Sequence, residues 1–293
     1  MPARVAIVIP HFEQPAALQR CVAAIAAQSY PADLLDVVVV DNGSARGSAP
    51  VLGDWPDVRL LVENRPGSYA ARNRGVRETT APIIAFTDAD CVADPGWIEA
   101  ALEALEACGA DPAMLGGRIE MLAPGPRPGA AELYDYALGI RQQRFVSRAH
   151  FAATANLVAT RSTFAVAGAF DERLLSGGDW EWGNRVHRAG ILQRYAADAV
   201  VRHPLRTSLR AVLGKTRRTV GGVVAARRIA PAAGPRERDK LASMRATLGE
   251  LRADPVTRPP WRFLRILLVA LLVAVVRQAE RLRIGFGGRA ARR

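Results

Sequence analysis

Two aspartates, Asp88 and Asp90, flank a single alanine directly after the apolar run Ile83–Phe86. Carboxylates at that spacing repel one another, and neither can enter a core without a partner. Either something cationic stands at the end of the run, or the pair is solvated in a loop. Other polar residues close apolar runs in the same way: Asp41 after VVVV, Asn64 after VRLLVE, and His203 ahead of Pro204. Asp179 follows Gly177 and Gly178 and opens DWEWGNRVHR, a helical stretch whose N-terminal dipole favours a carboxylate. Oxygen donors of this kind suit hard divalent cations, and an isolated acid at a glycine pair suits proton transfer.

Such groups need strands to carry them to one place. RVAIVI, stopped by Pro10, reads as a buried parallel strand, and PAALQRCVAAIAAQSYP after it as a helix closed by Pro31. DVVVVD, VRLLVEN and PIIAFTDAD give three more strands. Helices are predicted from near Ser68 and with Pro95 near a first turn. Strand and helix alternate four times in about 105 residues, which predicts a doubly wound, mostly parallel α/β sheet with its ligand at the carboxyl ends of the strands. Further on come a fifth strand in AMLGGRIEM, a helix through Tyr134 and Tyr136, and a short strand near Ala155–Ala159. A short helix capped by Ser162 and a last strand ending at His203 complete the pattern. The expected division is 1–113 as one α/β half, 114–203 as the acceptor-side half of the same domain, and 204–293 as a basic helical tail.

The net charge of +12 is unevenly held: residues 1–203 carry −4 and residues 204–293 carry +16. An acidic body suits chemistry and a basic tail suits an anionic surface. The tail lacks aromatic interleaving or a recognition module, so nucleic acid is not expected as a partner. Its apolar run Ile266–Val276 would reach about 17 Å as a helix, against about 30 Å of hydrocarbon, and cannot cross a bilayer unaided. Flanked by Trp261, Arg262 and Arg265 and by Arg277, Arg281 and Arg283, it could lie in a membrane interface; a buried helix or dimer contact is the alternative. Cys21, Cys91 and Cys108 form neither a metal-ligand spacing nor an even disulfide set, and the N-terminus lacks a signal-peptide pattern. A reducing, cytoplasmic setting is expected, peripheral on the inner face of the membrane.

Five motifs in order, VAIVIPHFEQPAAL, VVVVDNGS, NRPGSYAARNRGV, AFTDADCVADPGW and GGDWEWGNRV, followed by His203, resemble those of the family 2 inverting glycosyltransferases with the GT-A fold. The resemblance covers residues 1–203 and makes FTDAD the family's DxD motif. It implies a nucleotide-sugar donor and Mg2+ or Mn2+ held by Asp90, with Asp88 acting through the ribose or a metal-bound water and His203 as a further ligand. It also implies Pro10, Glu13, Asp41 and Arg72 at the nucleotide and Asp179 as the base that activates a hydroxyl acceptor. The chain departs from the family at His11-Phe12-Glu13 and at Gly178, which stands where the first acid of an acidic pair is expected. The helix dipole would lower the pKa of Asp179, whereas Glu181 and burial beside Trp180 and Trp182 would raise it. Those tryptophans suit either sugar stacking or a core. The expected function is hexosyl transfer in cell-surface polysaccharide or glycolipid assembly, to a saccharide or lipid-linked acceptor. The alternatives are an inactive sugar-nucleotide scaffold and a nucleotidyltransferase, for which a Gly-rich loop after the first strand is missing.

Overall fold

A computed structural model describes residues 3–229, 247–286 and 288. Its strands are β1 (Val5–His11), β2 (Leu35–Asp41), β3 (Arg59–Val62), β4 (Ile83–Thr87), β5 (Val92–Ala93), β6 (Ala113–Met121), β7 (Asn156–Thr160) and β8 (Leu192–His203). The helices are α1 (Pro15–Ala26), α2 (Ala49–Leu52), α3 (Ser68–Arg77), α4 (Trp97–Glu106), α5 (Ala130–Leu138), α6 (Gln142–Ala149), α7 (Arg161–Ala167), α8 (Gly178–Arg188), α9 (Leu209–Ile229), α10 (residues 247–253) and α11 (Pro260–Gly285). The chain divides into two compact units, Met1–Glu120 with Arg141–Pro204, and Met121–Ile140 with Leu205–Arg293. Helix α5 thus belongs to the second unit, whose other stretch begins at Leu205.

The eight strands form one sheet in the order β3-β2-β1-β4-β7-β6-β8-β5. Its first half is parallel, β1 pairing β2 and β4 and β2 pairing β3, as continuous apolar runs require. At β4 the direction reverses: β7 runs antiparallel to both β4 and β6. Pro10 does not stop β1, which continues to His11 with Pro10 opposite Val40. Pairing with β4 ends at Val8, so the missing proline N–H costs no ladder bond on that side. Helix α7 begins at Arg161 after Thr160, so Ser162 sits inside its first turn, where it bonds the Thr160 hydroxyl at 2.7 Å instead of capping. Likewise α4 starts at Trp97, because Val92 and Ala93 first form β5 against Arg202 and Val201 of β8.

Asn156 ties the antiparallel half together. Completely buried, it accepts from Trp97 Nε1 at 2.8 Å and donates to the carbonyls of Arg118 and Ala199 at 2.9 Å each. A Cβ on Gly117 would stand 2.4 Å from that amide, so β6 carries glycine where the hub presses on it.

In the second unit, α5, α9 and α11 share apolar faces. Ala131, Val212, Val269 and Val273 form one cluster, and Leu133, Ala137, Leu251 and Ile266 another. Buried Asp135 is paired with Arg206 at 3.1 Å. Residues 230–246 of the expected basic tail lie outside the described residues.

Candidate active site

Gly75 lets α3 sit directly on β1; a Cβ there would come within 2.4 Å of Val8. On a helix so placed, Tyr69, Arg72 and Asn73 fall at i, i+3 and i+4 and share one buried face. Asn73 bonds the backbone of Phe170 in both directions, at 2.9 and 3.0 Å, and fixes the approach to α8. Arg72 reaches the end of β4 and pairs with Asp88 at 2.5 Å. The cation that the aspartate pair demands is therefore Arg72 for one of its members. The guanidinium also lies 5.5 Å from the Tyr69 ring centroid, and its buried Nε has no hydrogen-bond partner among the described residues.

The chain turns after β4, Cys91 N–H donating to the Asp88 carbonyl at 3.0 Å, and β5 then pairs with the end of β8. That pairing brings Asp90 and Cys91 to His203, all three ligand atoms lying within 4.8 Å of one another. His203 Nδ1 is 2.7 Å from the Pro204 carbonyl, which can only accept, so Nδ1 donates and Nε2 is the nitrogen left to bind a metal. Metal-binding histidines are oriented in this way. A carboxylate and an imidazole fit a divalent ion of the Mg2+ or Mn2+ kind. Burial pushes the Cys91 thiol well up, leaving it protonated and a poor ligand. Of the three expected metal residues, Asp90 and His203 come together, while Asp88 turns to Arg72. Cys91 was not anticipated; a strand of two residues carries too little pattern to foretell which neighbours it meets.

Around Asp41 the packing is tighter than the sequence suggests. Its carboxylate accepts from Ser44 N–H and the Ser48 hydroxyl, both at 2.8 Å, and Ser48 in turn lies 2.6 Å from His11 Nδ1. His11 Nε2 accepts the Gln14 N–H at 3.2 Å, so Nδ1 is the protonated nitrogen and the chain of donors runs His11, Ser48, Asp41. Burial lowers the His11 pKa. Burial alone would raise that of Asp41, but the bonds from Ser44 and Ser48 outweigh it and hold the carboxyl below its usual range. Sequence reasoning missed His11 and Ser48; serine seven residues after Asp41 in a Gly-containing turn is the signal that was there. Glu13, exposed and at φ 55°, accepts the Ala45 N–H at 2.7 Å and so braces the same turn. Pro10 lies one residue before His11, at the strand end.

Asp179 enters from α8. Its Oδ1 accepts the Tyr69 hydroxyl at 3.2 Å and the Trp180 N–H at 2.9 Å. Burial raises its pKa, against the pull of the Trp180 N–H, Arg72 and Tyr69. Glu181 is not the cause: it is paired with Arg185 at 2.7 Å. Trp182 is fully buried against Phe164 and Phe170 with its N–H on the Gly168 carbonyl, and so is core, not a sugar platform. Trp180 remains half-buried.

A half-parallel sheet with carboxylates and an imidazole gathered at the strand ends is the arrangement of a glycosyltransferase of the GT-A fold. Solved structures share that fold. The mannosyltransferase PcManGT from Pyrobaculum calidifontis, in complex with GDP-Man and Mn2+, matches 96% of this chain and 88% of its own at 18% identity and a TM-score of 0.60. S. aureus TarS matches 81% of this chain and 41% of its own at 13% identity and a TM-score of 0.56. In sequence, glycosyltransferase AglE of Haloferax volcanii is 32% identical over 207 residues, 69% of this chain and 67% of the relative. The pre-mycofactocin glycosyltransferase of Mycobacterium tuberculosis is 32% identical over 214 residues, 70% of this chain and 44% of the relative. The family model "Glycosyl transferase family 2" matches residues 6–153, and the chain belongs to that family.

Proposed function

We propose that the chain is a metal-dependent, inverting hexosyltransferase that moves a sugar from a nucleoside diphosphate to a hydroxyl acceptor. The grouping of Asp90 with His203, two residues from the Arg72–Asp88 pair, supports this most. Asp90 and His203 would hold Mg2+ or Mn2+, which when bound offsets the charge of the departing diphosphate. Arg72 orients Asp88 toward the ribose side and offers its spare Nε–H to a phosphate oxygen. The turn braced by Pro10, Glu13 and Asp41 forms the base pocket. Asp179, with its raised pKa, takes the proton from the acceptor hydroxyl as that oxygen bonds to the anomeric carbon and the bond to the diphosphate breaks on the opposite face. The GDP-Man and Mn2+ bound by PcManGT are consistent with such a donor and ion.

The acceptor, in this reading, is a saccharide or lipid-linked saccharide of cell-surface polysaccharide or glycolipid assembly. The enzyme works in the cytoplasm, peripheral on the inner face of the membrane. No helix of the described residues is long and apolar enough to cross a membrane. Yet α11 presents Leu264, Leu268, Leu271 and Val275, each more than half exposed, with the exposed cations Arg265 and Arg277 near the two ends of this row. An apolar face with arginine at both ends complements an anionic bilayer surface.

Calorimetry with Mn2+ and a panel of UDP-, GDP- and dTDP-sugars tests the donor site. Uptake that disappears in Asp90→Ala is expected, together with release of the matching nucleoside diphosphate and product of inverted anomeric configuration. Metal-independent binding unchanged in Asp90→Ala would refute the metal site. Binding without release would favour the inactive scaffold, and pyrophosphate consumption the nucleotidyltransferase.

A further inference from the structure

Gly178, the first residue of α8, has no room for a side chain. A Cβ there would lie 2.7, 2.8 and 2.9 Å from three carbons of the Tyr69 ring, and that ring is itself buried. The position where the first acid of the pair was expected is thus filled by an aromatic ring from α3. We propose that Tyr69 is the positioning residue of Asp179, and that Gly178 is glycine in order to admit it. The proposal rests on reading Asp179 as the base.

The hydroxyl is placed to do this: it donates to Asp179 Oδ1 at 3.2 Å, at a helix start where Gly177 offers no side-chain cap. Burial drives the phenol pKa up, so Tyr69 stays protonated and donates. The result is a carboxylate pinned at Oδ1 by Tyr69 and Trp180, with no hydrogen bond to Oδ2 among the described residues. One oxygen is held and the other is left to meet the acceptor. The ring is itself fixed, with Phe170 5.6 Å away between centroids and the Arg72 guanidinium on its other contact. Besides Tyr69, the charged groups bearing on Asp179 are Arg72 from α3 and Asp88 beyond β4; Glu181 on its own helix is neutralised by Arg185.

The test uses the full chain with carboxyl-labelled aspartate, the Asp179 resonance being the one lost in Asp179→Asn, and reads its titration midpoint. Tyr69→Phe keeps the ring and removes the donor. A hydrogen bond to the ionised form favours it, so its loss raises the midpoint, by about one pH unit. Thermal unfolding should stay within a few degrees of wild type. Gly178→Ala displaces the ring and should raise the midpoint as much, and the double variant no further, since both break one contact. A midpoint unmoved in Tyr69→Phe, or shifts that add in the double variant, would overturn the proposal. Should Gly178→Ala not fold, Tyr69→Phe decides alone. In turnover, Tyr69→Phe should lower kcat about tenfold with the donor KM unchanged, which packing alone would not produce. An inert Asp179→Asn beside a wild-type Tyr69→Phe sinks this inference and leaves the base standing; an active Asp179→Asn sinks both.

Discussion

Replacing Asn156 by leucine removes three hydrogen bonds at once without opening a cavity. Leucine has the same branched four-atom skeleton and is bulkier, so Trp97 Nε1 and the carbonyls of Arg118 and Ala199 lose their partners in a site that water does not reach. Each buried orphan costs about 1–3 kcal/mol, giving roughly 3–9 in all. Burying the apolar leucine returns about 2 kcal/mol. A net loss of about 1–7 kcal/mol is a large share of the roughly 5–15 that a domain holds. Urea unfolding followed by near-UV circular dichroism should show a lower midpoint at unchanged slope. Ala199 lies four residues before His203 on β8, so Mn2+ uptake should weaken before the protein unfolds. A loss below about 1 kcal/mol would mean that the three partners re-pair elsewhere, and the hub argument would fail.

Asp41→Asn should destabilise the chain at neutral pH by about 1–2 kcal/mol and flatten its acid unfolding. The Asp41 carboxyl sits below its usual value of 3.8, so its contribution is present above that pH and lost as pH falls through the lower folded value. Asp179 has the opposite sign: its raised pKa makes ionisation a cost above the usual 3.8, so Asp179→Asn should raise stability at pH 8 by about 1 kcal/mol. That gain should fade toward pH 4 in paired thermal melts. Wild-type protein should sediment with phosphatidylglycerol-containing vesicles, less so as salt rises, and not with phosphatidylcholine alone. Leu268→Glu with Leu271→Glu should abolish this without altering unfolding; binding to neither vesicle by the wild type would remove the membrane face.

What the sequence made legible follows from burial. Strands of the parallel half are covered on both faces, so RVAIVI, VVVV and IIAF announce themselves, and the polar residue ending each has to lie at one edge. Asp88, Asp90, Asp179 and His203 were singled out on that logic together with the motif order. Residues whose placement depends on pairings distant in sequence were not. Cys91 reaches His203 through a two-residue strand, and Ser48 reaches His11 across 37 positions. Trp182 was ambiguous because aromatic spacing on a short helix is the same for a core and for a sugar platform; three rings from α7, the following loop and α8 decided it. Nothing local in PRPGAAELYDYAL says that α5 packs with helices that begin about 70 and about 120 residues after it ends.

The two aspartates after Phe86 can coexist because the chain bends between them. Were β4 to continue, residues 88 and 90 would project from the same face and compete for one counter-ion. The strand ends at Thr87, and the turn closed by Cys91 N–H on the Asp88 carbonyl sends them apart. Asp88 goes to Arg72 on α3, and Asp90 goes to His203 across the β5–β8 pair. Each partner is supplied by an element with its own anchor: Gly75 pressed on Val8 for α3, and Asn156 bonded to Ala199 for β8. Repulsion between the carboxylates is thereby converted into two separately held groups, Asp88 paired with Arg72 and Asp90 beside His203. A site built in this way keeps its geometry when a ligand enters, because neither acid depends on the other for its position.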